Sequence, residues 1–491
     1  MTTDADPCAN RGDGEAEADV VVVGFGPVGA TLAGLLARRG LDVVVVDKDT
    51  DVFALPRAAH VSDDVVRVWQ ELGCADELVA AMRVNHGMDF LTADHRVLLR
   101  MRPGPVTASG WPSSLFFHQP ALDRRLRQAA ADLGARVRLG TEVTGVHDDG
   151  ERVTVTCGDG TTITAGRVVG CDGARSFTRQ AVGTTLDDLG FEESWLVVDV
   201  VLRGEAPKLP DRALQVCDPA RPHTLVPMPA PRFRFEFMLL AGEDADAMQD
   251  PGVVRELLAA WVDPAVVEIE RSAVYVFHGL LARTWRSGRV LLAGDAAHQM
   301  PPFLGQGLGS GVRDAANLAW KLDLVCRGVA PDALLDTYHH ERAPHVRGLV
   351  EAAVGFGRII CTTDAQAAAE RDATMLADPA EPRTAAALSG LAPGPLLADG
   401  RTAVQVDIGR ARLDDRLGTR FGVVTRGPVT VSGFWADEAT VLDARTDPEL
   451  GEILDAYAAE VVVIRPDRYV LGAGATLDDA TAAAADLLTV P

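Results

Sequence analysis

Positive charge is in short supply in this chain. Its 491 residues hold 47 Lys and Arg against 70 Asp and Glu, a formal net charge of −23. Gripping a phosphate backbone takes a basic face, so nucleic acid is excluded as a partner. Cysteine is sparse as well. The seven thiols (Cys8, Cys74, Cys157, Cys171, Cys217, Cys326 and Cys361) are odd in number and include no close pair. That excludes a disulfide framework and a metal site, and it suits a reducing cytoplasm. No apolar run reaches the roughly 20 residues of a membrane span, so no membrane partner is expected. Residues 1–18 lack the features of a signal peptide and are expected to form a disordered acidic tail. The length exceeds one ordinary core and implies two or three domains.

Glycine, by contrast, is concentrated where it has consequences. A valine-rich run over residues 19–23 leads into Gly24-Phe25-Gly26-Pro27-Val28-Gly29, and apolar residues at helical spacing follow as far as Gly40. A second run, Val43–Val46, ends in Asp47 and Lys48. Strand, Gly-x-Gly-x-x-Gly turn, helix, strand and acid is the order of a dinucleotide-binding βαβ unit. Gly24 permits the tight turn, Gly26 lets a pyrophosphate approach the backbone, and Gly29 lets the helix pack close. The helix N-terminus offers free N–H groups and partial positive charge to phosphates. Asp47 is placed for the adenosine ribose. This unit alone does not separate FAD from NAD.

A second segment narrows the choice. The short apolar run Val290–Ala293 feeds Gly294-Asp295-Ala296-Ala297-His298. A loop follows through Pro301, Pro302 and Gly305-Gln306-Gly307-Leu308-Gly309, then a helical run through Leu322. A glycine-lined helix N-terminus suits an anion, and a reduced flavin ring carries negative charge. Two such turns specify one cofactor held at both ends, and FAD fits.

The Gly24–Gly29 turn, Cys171-Asp172-Gly173-Ala174-Arg175-Ser176, and Gly294–His298 through Asn317–Leu322 together resemble the class A flavoprotein aromatic hydroxylases. Further likeness to the 3-(3-hydroxyphenyl)propionate hydroxylase branch rests on several short stretches. These are Pro56-Arg57-Ala58, Ser62-Asp63-Asp64, Phe117-His118-Gln119-Pro120, residues 217–222 and residues 335–338. The resemblance spans roughly residues 19–375. It implies tightly bound, non-covalent FAD, with NAD(P)H as a transient co-substrate and O₂ as oxidant. It also implies hydroxylation of a phenolic ring through a flavin hydroperoxide, the ring being that of a 3-hydroxyphenylpropionate-like acid. The implied cofactor contacts are Gly24, Gly26, Pro27, Val28, Gly29, Asp47, Lys48, Arg57, Gln119, Asp172, Gly173, Gly294, Asp295, Pro302, Gly305, Gln306, Gly307, Leu308 and Gly309. Gly309 departs from the asparagine frequent in the family.

The fold implied is α/β: a Rossmann-type FAD-binding domain over 19–377, with an inserted β-sheet substrate domain (about 88–117 and 185–280). A Pro/Ala/Gly-rich linker over 378–395 and a thioredoxin-like α/β domain over 396–491 follow. The last lacks Cys-x-x-Cys and is expected to carry no redox chemistry. A hairpin is expected around Gly158-Asp159-Gly160, and Gly472-Ala473-Gly474 is expected to be a turn. The catalytic candidates are His60, His223, Arg234 and Tyr275, with Phe277 and His278 beside them. Arg221 or Arg234 is the candidate partner for a substrate carboxylate. Besides a small aromatic substrate, a homodimer is left open. Two other readings compete: a tailoring oxygenase for a larger, polyketide-type aromatic, and an NAD-dependent dehydrogenase using only the first βαβ unit.

Overall fold

The computed structural model describes residues 15–53, 57–104, 108–203, 209–377, 383–384, 390–391 and 394–488. Two large sheets organise the chain. In the first, Glu15–Val23 lies between Thr162–Gly170 and Val43–Val46, parallel to both, with Arg136–Arg138 beyond and Val290–Leu292 parallel on the other side of Thr162–Gly170. Val43–Val46 is buried at every position, so its valines are covered on both faces and show no alternation. The helix Pro27–Arg38 crosses over one face, packed between the helices Gln119–Asp132 and Gly307–Cys326. The Gly158–Gly160 hairpin forms as expected, joining Val153–Cys157 to Thr162–Gly170.

The second sheet has nine strands among the described residues and is mostly antiparallel. Its centre is Leu186–Leu202, flanked by Val267–Ala282 and Arg232–Met238. His223–Pro227, Ala213–Val216, Met88–Leu91 and Val97–Arg102 continue it. One face buries Leu196, Val198, Leu225, Phe233, Phe235 and Phe237 against Val254 and Leu258 of a short helix. The other faces the first sheet's turns.

Four expectations need correction. The tail stops short of residue 18, because Glu15–Ala18 already pair with Thr162–Ala165; residues 1–14 lie outside the described residues. Ser114–Phe116, expected in the substrate sheet, pairs instead with His60–Ser62 and Arg83–Val84 in a small separate sheet. Within 378–395, Arg383–Thr384 adds to the edge of the second sheet beside Val97–Arg102, so part of the expected linker is strand; most of the rest lies outside the described residues. Finally, Gly472–Gly474 belongs to the strand Val470–Gly474, because Ala480 packs directly on Gly472 where any larger residue would collide.

The last hundred residues form a mixed four-stranded sheet, Ala439–Asp443, Phe421–Thr425, Val461–Ile464 and Val470–Gly474 in spatial order. It is joined to the rest of the chain through buried ion pairs. Arg67 grips Asp414 at 2.6 and 2.8 Å, and Arg465 binds Glu341 at 2.9 Å. Among the described residues no helix is long and apolar enough to cross a membrane.

Candidate functional site

Three turns leave adjacent parallel strands at their C-terminal ends, which is where open α/β sheets bind ligands. Val23 is in register with Gly170, and Gly170 with Leu292. The Gly24, Cys171 and Gly294 turns therefore emerge side by side. Gly24 has φ +98°, and a Cβ there would sit 2.5 Å from the Cys171 carbonyl oxygen. Only glycine permits both the conformation and the approach. The result is one cleft of about 1460 Å³, lined by Gly24, Gly26, Pro27 and Val28 on one side and by Asp295, Pro302 and Gly305–Leu308 on the other. The two glycine segments, nearly three hundred residues apart, face the same space.

The two helices that follow the glycine segments lack a side-chain cap at their N-termini. Gly26 precedes Pro27–Arg38, and Gln306 precedes Gly307–Cys326. Their first-turn N–H groups are available to an anion, as two ends of one extended, negatively charged ligand require. Asp47 and Lys48 also line the cleft. The Asp47 carboxylate accepts from the Phe25 backbone N–H at 2.6 Å and lies 3.4 Å from Arg127. It thus ties the second strand to the glycine turn. Gln119 accepts the backbone N–H groups of Arg57 and Ala58 at 2.8 and 2.9 Å. This fixes the Arg57 segment, whose half-exposed guanidinium sits 3.6 Å from Asp295.

Some expected contacts have other duties. Gly29, Gly294 and Gly309 do not line the cleft. Gly29 packs on the Gly24 carbonyl, Gly294 on Val28, and Gly309 on Val65 and Arg313. They shape the walls. Asp172 borders the cleft beside Gly173, but its carboxylate is occupied. It accepts from Ser176, from the Thr178 N–H at 2.9 Å and from the Thr178 hydroxyl at 3.0 Å, holding the start of Phe177–Ala181.

At its far end the cleft is floored by the second sheet. Gln215, Thr224, Val226, Arg234, Glu236, Tyr275 and Phe277 line it. His60 enters from the small sheet, its Nε2 2.7 Å from Ser114 Oγ and its Nδ1 3.3 Å from the Gly305 carbonyl. Burial pushes the His60 pKa below its ordinary value. Phe277 packs edge-on against Phe303, which itself meets Trp195, giving this end apolar walls. Tyr275 Oη is buried and has no hydrogen-bond partner among the described residues.

Strand alternation overturns His223. Thr224 and Val226 point to the cleft, so His223 points the other way, between Phe237 and Trp261 with Nδ1 2.9 Å from the Arg221 carbonyl. Both candidate cations for a substrate carboxylate already hold an acid of the chain. Arg221 lies off the cleft, bound to Glu243. Arg234 lines it, but Nε and Nη2 bind Asp199 at 2.7 and 3.1 Å and Nη1 donates to the Arg57 carbonyl at 2.8 Å. Arg234 thus joins the sheet to the Arg57 segment.

The structure adds residues that sequence reasoning missed: Asp123, Arg127, Ser114, Glu236 and, from the last hundred residues, Thr402. Glu236 had a readable signal. In Arg232–Met238 basic, basic and acidic residues alternate with three phenylalanines, so Arg234 and Glu236 share the face opposite the apolar core. The others come from distant segments, and no local pattern marks them.

A family model described as FAD binding domain matches residues 17–353. A probable NADH-specific resorcinol 4-hydroxylase of Rhodococcus jostii (strain RHA1) is 38% identical, covering 94% of this chain and 93% of its own length. A 3-(3-hydroxy-phenyl)propionate/3-hydroxycinnamic acid hydroxylase of Mycobacterium sp. (strain JLS) is 33% identical, covering 95% and 90%. Among solved structures, the anhydrotetracycline hydroxylase OxyS from Streptomyces rimosus is similar with a TM-score of 0.77 at 24% identity, covering 97% of this chain and 100% of that one. A ternary complex of aklavinone-11 hydroxylase with FAD and aklavinone gives 0.77 at 24%, covering 96% and 98%. At such identities the structural likeness speaks for the fold alone.

Proposed function

This chain belongs to the FAD-binding-domain family, and on that premise we propose that it is a FAD-dependent monooxygenase that uses NAD(P)H and O₂ to hydroxylate a phenolic ring. The observation that carries this reading is the single cleft shared by the two glycine segments and the sheet floor. One end suits a dinucleotide, and the other is apolar with a few polar groups, as an aromatic substrate requires.

The residues present fit FAD. Gly24, Gly26, Pro27 and Val28 would take the pyrophosphate at the uncapped first helix, and Asp47 the ribose, with Lys48 beside it. Arg57 and Asp295 would flank the ribityl chain, with Gln119 holding Arg57 in place. Pro302 and the Gly305–Leu308 backbone would border the ring at the second uncapped helix, where a negative charge is favoured. Gly29, Gly294 and Gly309 support these contacts from behind, and Asp172 with Gly173 frames the side between the two glycine turns. Bound there, FAD would supply hydride acceptance from NAD(P)H and activation of O₂.

The chain's own residues account for the rest. Phe277, Phe303 and Trp195 keep water from the reacting end, which limits wasteful release of peroxide. His60, poised between Ser114 and the Gly305 carbonyl, orients the loop at the ring, and Tyr275 offers its unpartnered hydroxyl to the substrate. A second dinucleotide fold does not occur among the described residues, so the nicotinamide visits without a domain of its own. The resorcinol relative's name favours NADH.

The sheet carrying Tyr275 serves in this reading as a substrate domain inserted in the FAD domain, and the last hundred residues as a thioredoxin-like unit without redox chemistry. The six cysteines among the described residues are free, which fits a cytoplasmic setting. The sequence relatives named for single-ring phenols support a small substrate over a polyketide. The NAD-dehydrogenase alternative leaves the second glycine segment without a role. Purified protein should be yellow, and a phenol should accelerate its NADH oxidation with formation of hydroxylated product. A colourless protein, or NADH oxidation that no phenol stimulates, overturns the proposal.

A further inference from the structure

One carboxylate in the substrate end of the cleft has no role yet. Glu236 lines the cleft, and only 14% of its side-chain surface is exposed. Nothing among the described residues donates a hydrogen bond to it. Its nearest cation, Arg234, stands 3.7 Å away with all three nitrogens already given to Asp199 and the Arg57 carbonyl. Burial raises the Glu236 pKa and Arg234 opposes that rise.

The register places Glu236 beside a second unpartnered group. Glu236 is opposite Val197, and Val197 is opposite Ala273; Tyr275 follows two residues along on the same face. Tyr275 Oη is buried without a partner and also lines the cleft. A buried hydroxyl left unpaired is costly, and a ligand that pairs with it while donating to Glu236 recovers that cost.

The charge around them decides what kind of ligand. Arg234 and Arg271 flank Asp199 across three strands, and Glu236 brings the cluster to neutrality. Arg271 lies behind the Tyr275 ring, 5.1 Å from its centroid, and does not line the cleft. The cleft therefore meets an acid to which no described residue donates and a guanidinium whose charge Asp199 already balances. An aromatic carboxylate entering here adds a like charge next to Glu236 in a cluster already at formal neutrality. A neutral ring bearing hydroxyls donates to Glu236 instead.

Resting on the monooxygenase reading, we propose that Glu236 and Tyr275 each bind one hydroxyl of the substrate, and that the substrate is an uncharged dihydroxybenzene-type phenol and not an aromatic acid.

The test uses the FAD-loaded enzyme with resorcinol, phenol and 3-(3-hydroxyphenyl)propionate, reading affinity from the perturbation of the flavin spectrum and turnover from NADH oxidation with product. The wild type should bind resorcinol at least tenfold tighter than the acid, with phenol between them. Glu236→Gln, with FAD content unchanged, should weaken resorcinol at least tenfold while the acid holds steady or binds better. Tyr275→Phe should weaken resorcinol more than phenol. A wild type that prefers the acid overturns the inference and leaves the monooxygenase reading standing, and this comparison needs no variant to fold. Variants that move resorcinol affinity less than twofold also overturn it. No stimulation by any of the three overturns both.

Discussion

At the scale of single residues, the cleft depends on side chains whose neighbours determine their charge. Asp295 faces both Arg57 and the cleft. Asp295→Ala should lose bound FAD more readily than an exposed Asp→Ala control such as Asp159→Ala, measured as flavin retained after dialysis; equal retention counts against it as a cofactor ligand. Asp123 offers a sharper physical test. Burial pushes its carboxyl up to about 7, against weaker help from Gln119 and nearby arginines, and Oδ1 has no partner. A folded pKa above the unfolded value means this group's contribution is fully present below about pH 4 and is lost as pH rises through 7. Asp123→Asn should therefore match the wild type at pH 4 and exceed it by about 1–3 kcal/mol at pH 8 in urea melts, the scale of an unpaired buried polar group. A variant less stable than the wild type at pH 8 contradicts this. Sequence gave no sign of Asp123, since a carboxylate on an ordinary helix looks like a solvated one until its surroundings are known. The glycine turns were legible because their constraint is local: a tight turn and a close approach need glycine wherever they occur.

Elements meet at the cleft with little slack. The helix Gly307–Cys326 reaches the Gly24 turn through Gly311, where a Cβ would lie 2.5 Å from Val28 Cγ2 and 3.1 Å from the Gly294 Cα. One methyl there pushes on both glycine segments at once. Gly311→Ala should cost about 1–3 kcal/mol, the usual price of overpacking, and should lower FAD affinity together with Tm. A normal Tm with full flavin would show that the two segments tolerate separation. The helix itself was readable from its periodicity and from the glycines before it. Its register against Val28 was not, because close packing of two helices and a turn depends on the placement of all three. The strand His223–Pro227 shows the same limit. Its alternation was visible, but which of its faces looked into the cleft was decided by its partner strands, and His223 fell on the wrong side.

For the whole molecule, buried ion pairs join the last hundred residues to the first four hundred. Breaking the Arg67–Asp414 pair by Arg67→Ala leaves the buried carboxylate to Arg468 at 3.3 Å and should cost up to about 3–5 kcal/mol, seen as a lower midpoint in thermal or urea unfolding. A shift of under about 1 kcal/mol would mean that the pair is dispensable. Acid should weaken the fold through three further carboxylates. Burial pushes Asp64, Asp314 and Glu341 up, yet their partners hold each at about 2: Arg313 for Asp64, His298 and Arg342 for Asp314, Arg465 and Lys321 for Glu341. Folded values below the unfolded ones mean that this stabilisation is present above about pH 4 and is lost as pH falls toward 2. Stability that stays flat between pH 4 and 2 would contradict these pairings.

Residues in the chain's own order were enough to determine the α/β class, the two cofactor turns and the acid after the second strand, because each rests on interactions among neighbours along the backbone. Only the tertiary structure decided that Glu236 and Tyr275 share a face, that Arg234 is committed to Asp199, and that Thr402 reaches the cleft. Those facts depend on strand register and on packing between distant segments, and a side chain's charge and availability follow from the company that folding gives it.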